Sequence, residues 1–149
     1  MSLSATTIFA DAPLGAIICW RDGSPRPPVR HVRKVRDWEH RNGEGRLVER
    51  HAASGQPTLD SFTVHEGDFG EGGVIVLRVR RVFGADSPLA FDIVSVPQPG
   101  GALVITYFAG RDELQHVAPS REAAERWQAH HGYRDARIDI VPPAPVLAA

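Results

Sequence analysis

The chain has 149 residues, 42% of them hydrophobic, with 17 basic and 18 acidic residues and a formal charge of −1. That length fits one domain with its own core, burying roughly 68 to 70% of the surface that the unfolded chain exposes. The near balance of charge argues against nonspecific binding of nucleic acid or membranes by the chain as a whole, and no apolar run approaches the roughly 18 residues a spanning helix needs.

A single cysteine, Cys19, excludes any intramolecular disulfide and fits a reducing compartment, so a cytoplasmic location is expected. Met1 to Ala10 lacks the positive start and apolar block of a secretion signal, and Met1-Ser2-Leu3 is given no structural role. The excess of arginine over lysine, with Lys34 the single lysine, suggests a GC-rich bacterial genome. Charge is unevenly spread. Arg21 to Arg50 holds nine basic against five acidic residues, a local +4, which leaves −5 on the remainder.

Ala16 to Trp20 is apolar on both faces and closed by Arg21-Asp22-Gly23, which predicts a buried strand and a turn. Ser24 to Pro28 must be extended, because proline fixes its own φ and pushes the preceding residue out of the helical region. Pro28 can open a helix running to about Arg41, with Val29, Val32, Val35 and Trp38 as its apolar stripe and Asn42-Gly43 as its stop. Arg46 to His51 predicts a short strand and 52–57 a loop. Asp60 to Glu66 alternates as a half-exposed strand, with Phe62 and Val64 inward. Val74 to Phe83 is the longest β-branched run and is expected to start at the centre of the sheet. The Gly-rich residues 67–73 link these two strands.

Further strands are expected at Leu89 to Val96, Ala102 to Ala109 and Glu113 to Val117. Ser120 caps a second helix with Ala123, Ala124 and Trp127 on its buried face, and Gly132 ends it. Asp135 to Val141 predicts a closing strand. Residues 142–149 read as a loose Pro-rich tail. The order of two strands followed by Ser120, Glu122, Ala123, Ala124 and Trp127 resembles the strand-strand-helix pattern of small DNA-arm-binding domains in phage integrases. That likeness covers about a fifth of the chain and assigns no family.

Few residue patterns carry chemistry. The Gly-rich loop leads into a strand rather than a helix and bears Glu66, Asp68 and Glu71, so it is not a phosphate cradle. Asp68-Phe69-Gly70 lacks the companion motifs of a kinase. His130 and His131 are adjacent and diverge on a helix, and Glu113 with His116 falls on a strand, so no metal site is expected. No catalytic residue and no cofactor is implied: Cys19 sits in an apolar run, and no serine stands in a Gly-x-Ser-x-Gly elbow.

The best lead is the basic segment with Arg26, Arg30, Arg33, Lys34, Arg36 and Arg41, which suits phosphate backbones or an acidic protein. Asp37 spaced to Arg33 and Arg41, and Glu39 spaced to Arg36, would neutralise part of it.

The expectation is therefore an α+β fold in a single domain, residues 1–149. A single antiparallel meander of six or seven strands carries two helices on one face. The expected function is a small non-enzymatic binding module offering its basic helix to nucleic acid or an acidic protein. Two alternatives are an enzyme or small-ligand binder using Cys19, His65 or His116 in a pocket between sheet and helix, and a homo-oligomeric assembly protein.

Overall fold

The computed structural model describes residues 2–54, 59–71 and 74–143, and of residues 68–71 and 74–77 it describes the main chain. The chain is α+β, with three helices and eight strands among the described residues, antiparallel in every pairing given below. Two compact units divide it, Met1–Ser95 and Val96–Ala149.

The first unit contains α1 (Ala5–Asp11), β1 (Ile17–Arg21), α2 (Val32–Arg41), β2 (Gly43–His51), β3 (Ser61–Glu71), β4 (Val74–Gly84) and β5 (Ala90–Ser95). Its strands lie in the order β5-β1-β2-β3-β4. This departs from a plain meander, because β5 returns to pair with β1 instead of β4. The valine-rich strand β4 stands at the end of the strand order and not at its centre. Its Arg78, Arg80 and Val82 are exposed, while Phe83 enters the core, so the second half of the run is buried through one face only. The side chains of Val74 to Leu77 lie outside the described residues. The Gly-rich stretch is shorter as a loop than expected, since β3 continues to Glu71 in register with β4.

The core of this unit gathers Ile18 and Trp20 from β1, Leu47 from β2, Phe62 and Val64 from β3, Phe83 from β4 and Phe91 from β5. Phe83 lies 4.9 Å from Trp20, 5.6 Å from Phe62 and 5.3 Å from Phe91, centroid to centroid. The tilted and edge-on geometries are those aromatic quadrupoles favour. Helix α1, which the sequence reading omitted, covers this cluster with Ala5 and Ile8, and Ala12 follows at its C-cap. Ser4 caps it by accepting from the Thr7 amide at 3.2 Å. Leu3, given no role above, exchanges two backbone hydrogen bonds with Phe91, at 2.7 and 2.9 Å.

Helix α2 behaves differently. It begins at Val32 rather than Pro28 and has no buried residue, so it does not cover a sheet face as expected. Its ties lie at the C-terminal end. The Trp38 indole donates to the Ser24 carbonyl at 2.9 Å, and the Asn42 amide donates to the Trp38 carbonyl at 2.9 Å and to Asp22 at 3.1 Å. At the other end Val29 and Val32 stay exposed, and Val35 is half-buried.

The second unit contains β6 (Ala102–Phe108), β7 (Arg111–Ala118), α3 (Arg121–His131) and β8 (Arg137–Ile140). Strand β6 pairs with both β7 and β8. Ser120 and Gly132 bound α3 as their residue types require. The serine accepts from the Ala123 amide, and Gly132 adopts φ 76°, a left-handed conformation that costs a residue with a side chain more. Ala102, Val104, Ala118 and Ala124 form a small core, with Trp127 and Ile138 packed against it. Asp112 takes two 2.8 Å hydrogen bonds from Arg137 on β8, which hold its carboxyl below the usual carboxylate range. Pro142 and Pro143 are exposed and outside any strand, and the rest of the expected tail, residues 144–149, lies outside the described residues.

Candidate functional site: the basic helix α2

Six basic residues form the expected surface, and the structure sorts them into two groups. The outer two are paired. Arg41 donates to Asp22 at 2.8 Å. Arg26 lies 3.6 Å from Glu39 and places its guanidinium 5.7 Å from the centroid of Trp38. The intrahelical pairs expected from spacing are not made. Asp37 has no ion pair to a described residue, Arg41 turns to Asp22, and Glu39 turns to Arg26. The local turn explains this: Asp22 is already fixed by the Ser24 hydroxyl at 2.6 Å and the Ser24 amide at 2.9 Å, so it presents a pre-ordered carboxylate to Arg41.

Arg30, Arg33, Lys34 and Arg36 form the second group. All four are exposed, and none has a hydrogen bond or ion pair to a described residue. At about 100° per residue, Arg33 and Arg36 lie some 60° apart, with the exposed His40 between them. Lys34 lies on the far side of Asp37.

The end of the helix is held by the core. Trp20, which is 2% exposed, donates its indole N–H to the His40 carbonyl at 3.4 Å, and Arg81 donates to the same carbonyl. The Arg81 guanidinium sits 5.5 Å from the Trp20 centroid and 5.4 Å from that of Phe83, a cation–π arrangement with the carboxylate of Glu66 at 3.7 Å. Gly43 must be glycine in this setting, because a Cβ there would stand 2.9 Å from the Trp20 ring.

Asp22 makes this end of the helix acid-sensitive. The Ser24 hydroxyl and amide, then Arg41 and Asn42, hold its carboxyl well below the usual carboxylate range. A depressed folded value gives stabilisation that is complete above the unfolded pKa of about 4 and is lost as pH falls below it. Amide exchange near Asn42 is therefore expected to quicken progressively below about pH 4 in the native protein. In Asp22→Asn it should be fast already at neutral pH. Equal exchange in both proteins at neutral pH would contradict this.

Of the three residues of the pocket alternative, Cys19 and His65 lie in the first unit and His116 in the second. Cys19, half-buried on β1, opposes Glu44 on β2 and Asp92 on β5. His65 on β3 opposes Arg46 on β2 and Arg80 on β4, two residues further along the sheet. His116 belongs to the second unit and stacks on Trp127, with centroids 4.5 Å apart and an interplanar angle of 2°. His131 and Tyr133 are also parallel to that indole, at 4.3 and 5.3 Å. Sequence reasoning missed this array. Tyr133 lies beyond the helix stop, and only the fold brings β7 beside α3. Among the described residues no group of three or more His, Cys, Asp or Glu side chains could hold a metal ion, and no helix is long and apolar enough to cross a membrane.

Comparison with curated proteins and with solved structures finds no match to this chain. A family model does match: from residue 3 to residue 144 the chain follows the one described as uncharacterised conserved protein UCP036055, and it belongs to that family.

Proposed function

We propose that the protein is a small, non-enzymatic, cytoplasmic bacterial binding module that docks an anionic partner, nucleic acid or acidic protein, on α2. One observation carries the reading. Arg30, Arg33, Lys34 and Arg36 lie on one short exposed segment and make no ion pair with a carboxylate of a described residue. Unpaired surface cations cost the fold nothing in water, and they release counterions when a polyanion replaces the ion atmosphere. The paired Arg26 and Arg41 serve the other purpose, holding the helix to its turn. The lone cysteine suits a reducing compartment.

The test is binding of a fluorescent DNA duplex and of poly-L-glutamate across about 50 to 200 mM salt. Affinity should fall with salt. The combined Arg30→Glu, Arg33→Glu and Lys34→Glu protein should lower the slope of log affinity against log salt by about three, one for each cation removed. Its stability should remain within about 0.5 kcal/mol per site of the native protein, because the side chains are exposed and make no hydrogen bond or ion pair to a described residue. Binding that is absent at low salt, or unchanged in the triple variant, would overturn the reading.

A further inference from the structure

Helix α2 also carries an apolar stripe that its own chain covers only in part: Val35 and Trp38 are half-buried, whereas Val32 is exposed. Val32, Val35 and Trp38 fall within an arc of about 120°, and Val29 precedes them in the adjoining turn. Val29 is 78% and Val32 65% exposed. Cations line both edges of the stripe: Arg36 lies about 40° beyond Val32, and Lys34 about 40° beyond Trp38. A carboxylate, Glu39, falls between Val32 and Val35, where Arg26 meets it at 3.6 Å.

Three kinds of anionic partner reward these features differently. A phosphate backbone neutralises the cations and leaves the valines in water. An anionic bilayer would take the valines, but this helix of ten residues has no leucine or phenylalanine to insert, and its tryptophan, Trp38, is half-buried and held by Ser24 and Arg26. A protein helix with apolar residues in the middle and carboxylates on both flanks satisfies stripe and edges together, as flanking charges do beside the seam of a coiled coil. Resting on the reading of α2 as an anion-docking surface, we infer that its occupant is an acidic amphipathic helix of a partner protein. The partner's apolar face covers Val29, Val32 and the exposed part of Val35, and its carboxylates pair with Lys34 and Arg36 at the two edges of the stripe. Ten residues of helix span about 15 Å, so the contact is small and the complex transient.

The experiment titrates the full chain with four probes. They are a synthetic helix with leucine at its a and d positions and glutamate at e and g, a scrambled peptide of the same composition, a DNA duplex, and vesicles of phosphatidylglycerol. The ordered peptide should bind about tenfold tighter than the scrambled one, the gain expected from partly covering two valines. Val29→Ser with Val32→Ser should erase that advantage and leave scrambled-peptide binding unchanged. Equal affinity for the two peptides, tighter binding of duplex or vesicles, or an ordered-peptide advantage that survives the serine changes would overturn the inference. If the probes bind in proportion to charge and respond only to the arginine reversals, anion docking stands and this inference alone falls. If no probe binds at low salt, both fall.

Discussion

Phe62→Ala is expected to lower folding stability by about 3 to 5 kcal/mol. The ring is fully buried on β3, 5.6 Å from both Phe83 and Phe91, in the core cluster that strands β1 to β5 form with α1. Removing it deletes the burial of an aromatic side chain and leaves a cavity. The surrounding rings cannot fill that cavity, because each is held by its own strand. Denaturant melts of the native and variant chains measure the loss, and Phe62→Leu should recover more than half of it. A change under about 1 kcal/mol would mean that the cluster collapses readily, contrary to its packing.

Trp20→Ala should cost a similar amount, about 3 to 5 kcal/mol, with a second effect that Phe62→Ala lacks. Trp20 packs on Phe83 with one part of its ring and donates to the His40 carbonyl with its N–H, so it joins the core to the last turn of α2. Amide exchange at Trp38 to Asn42 should accelerate through local opening. Binding of the polyanions used above should weaken, because the displayed cations are no longer held in one geometry. Trp20→Phe separates the two roles, keeping most of the packing while removing the donor. If Trp20→Phe leaves exchange at the end of α2 unchanged, the indole does not hold the helix.

The sequence was a good guide wherever local chemistry decides. Ser120 and Gly132 mark α3 within a residue, since a cap and a left-handed stop are requirements of the backbone itself. The α+β class and the antiparallel pairing follow from short alternating runs joined by turn residues. Neighbour relations were less legible. A β-branched run states that a segment is extended, not where it lies, and β4 stands at the end of the order because β5 returns to β1. Helix α1 could have been found: Ser4 precedes Ala5, Ile8, Phe9 and Ala12 at helical spacing, a signal obscured by treating the first ten residues only as a targeting question.

At α2 the pattern identified the helix and its cations but wrongly inferred that valines seek the interior of their own chain. Periodicity reports amphipathicity and does not say what covers the apolar side. Spacing likewise could not choose the ion-pair partners. Asp22 and Arg26 come from the turn and extended segment before the helix, and a folded approach competes with any pair at four-residue spacing.

The pairing of Leu3 with Phe91 has a consequence for solubility. A strand at the rim of a sheet offers its outward amides to any other extended chain, and β5 exposes Val94, with Val96 just beyond it, beside that rim. The short N-terminal stretch occupies the rim at Phe91, opposite the side where Trp20 pairs. At that position it works as a selvedge, occupying backbone groups that an extended strand of a neighbouring molecule would otherwise meet.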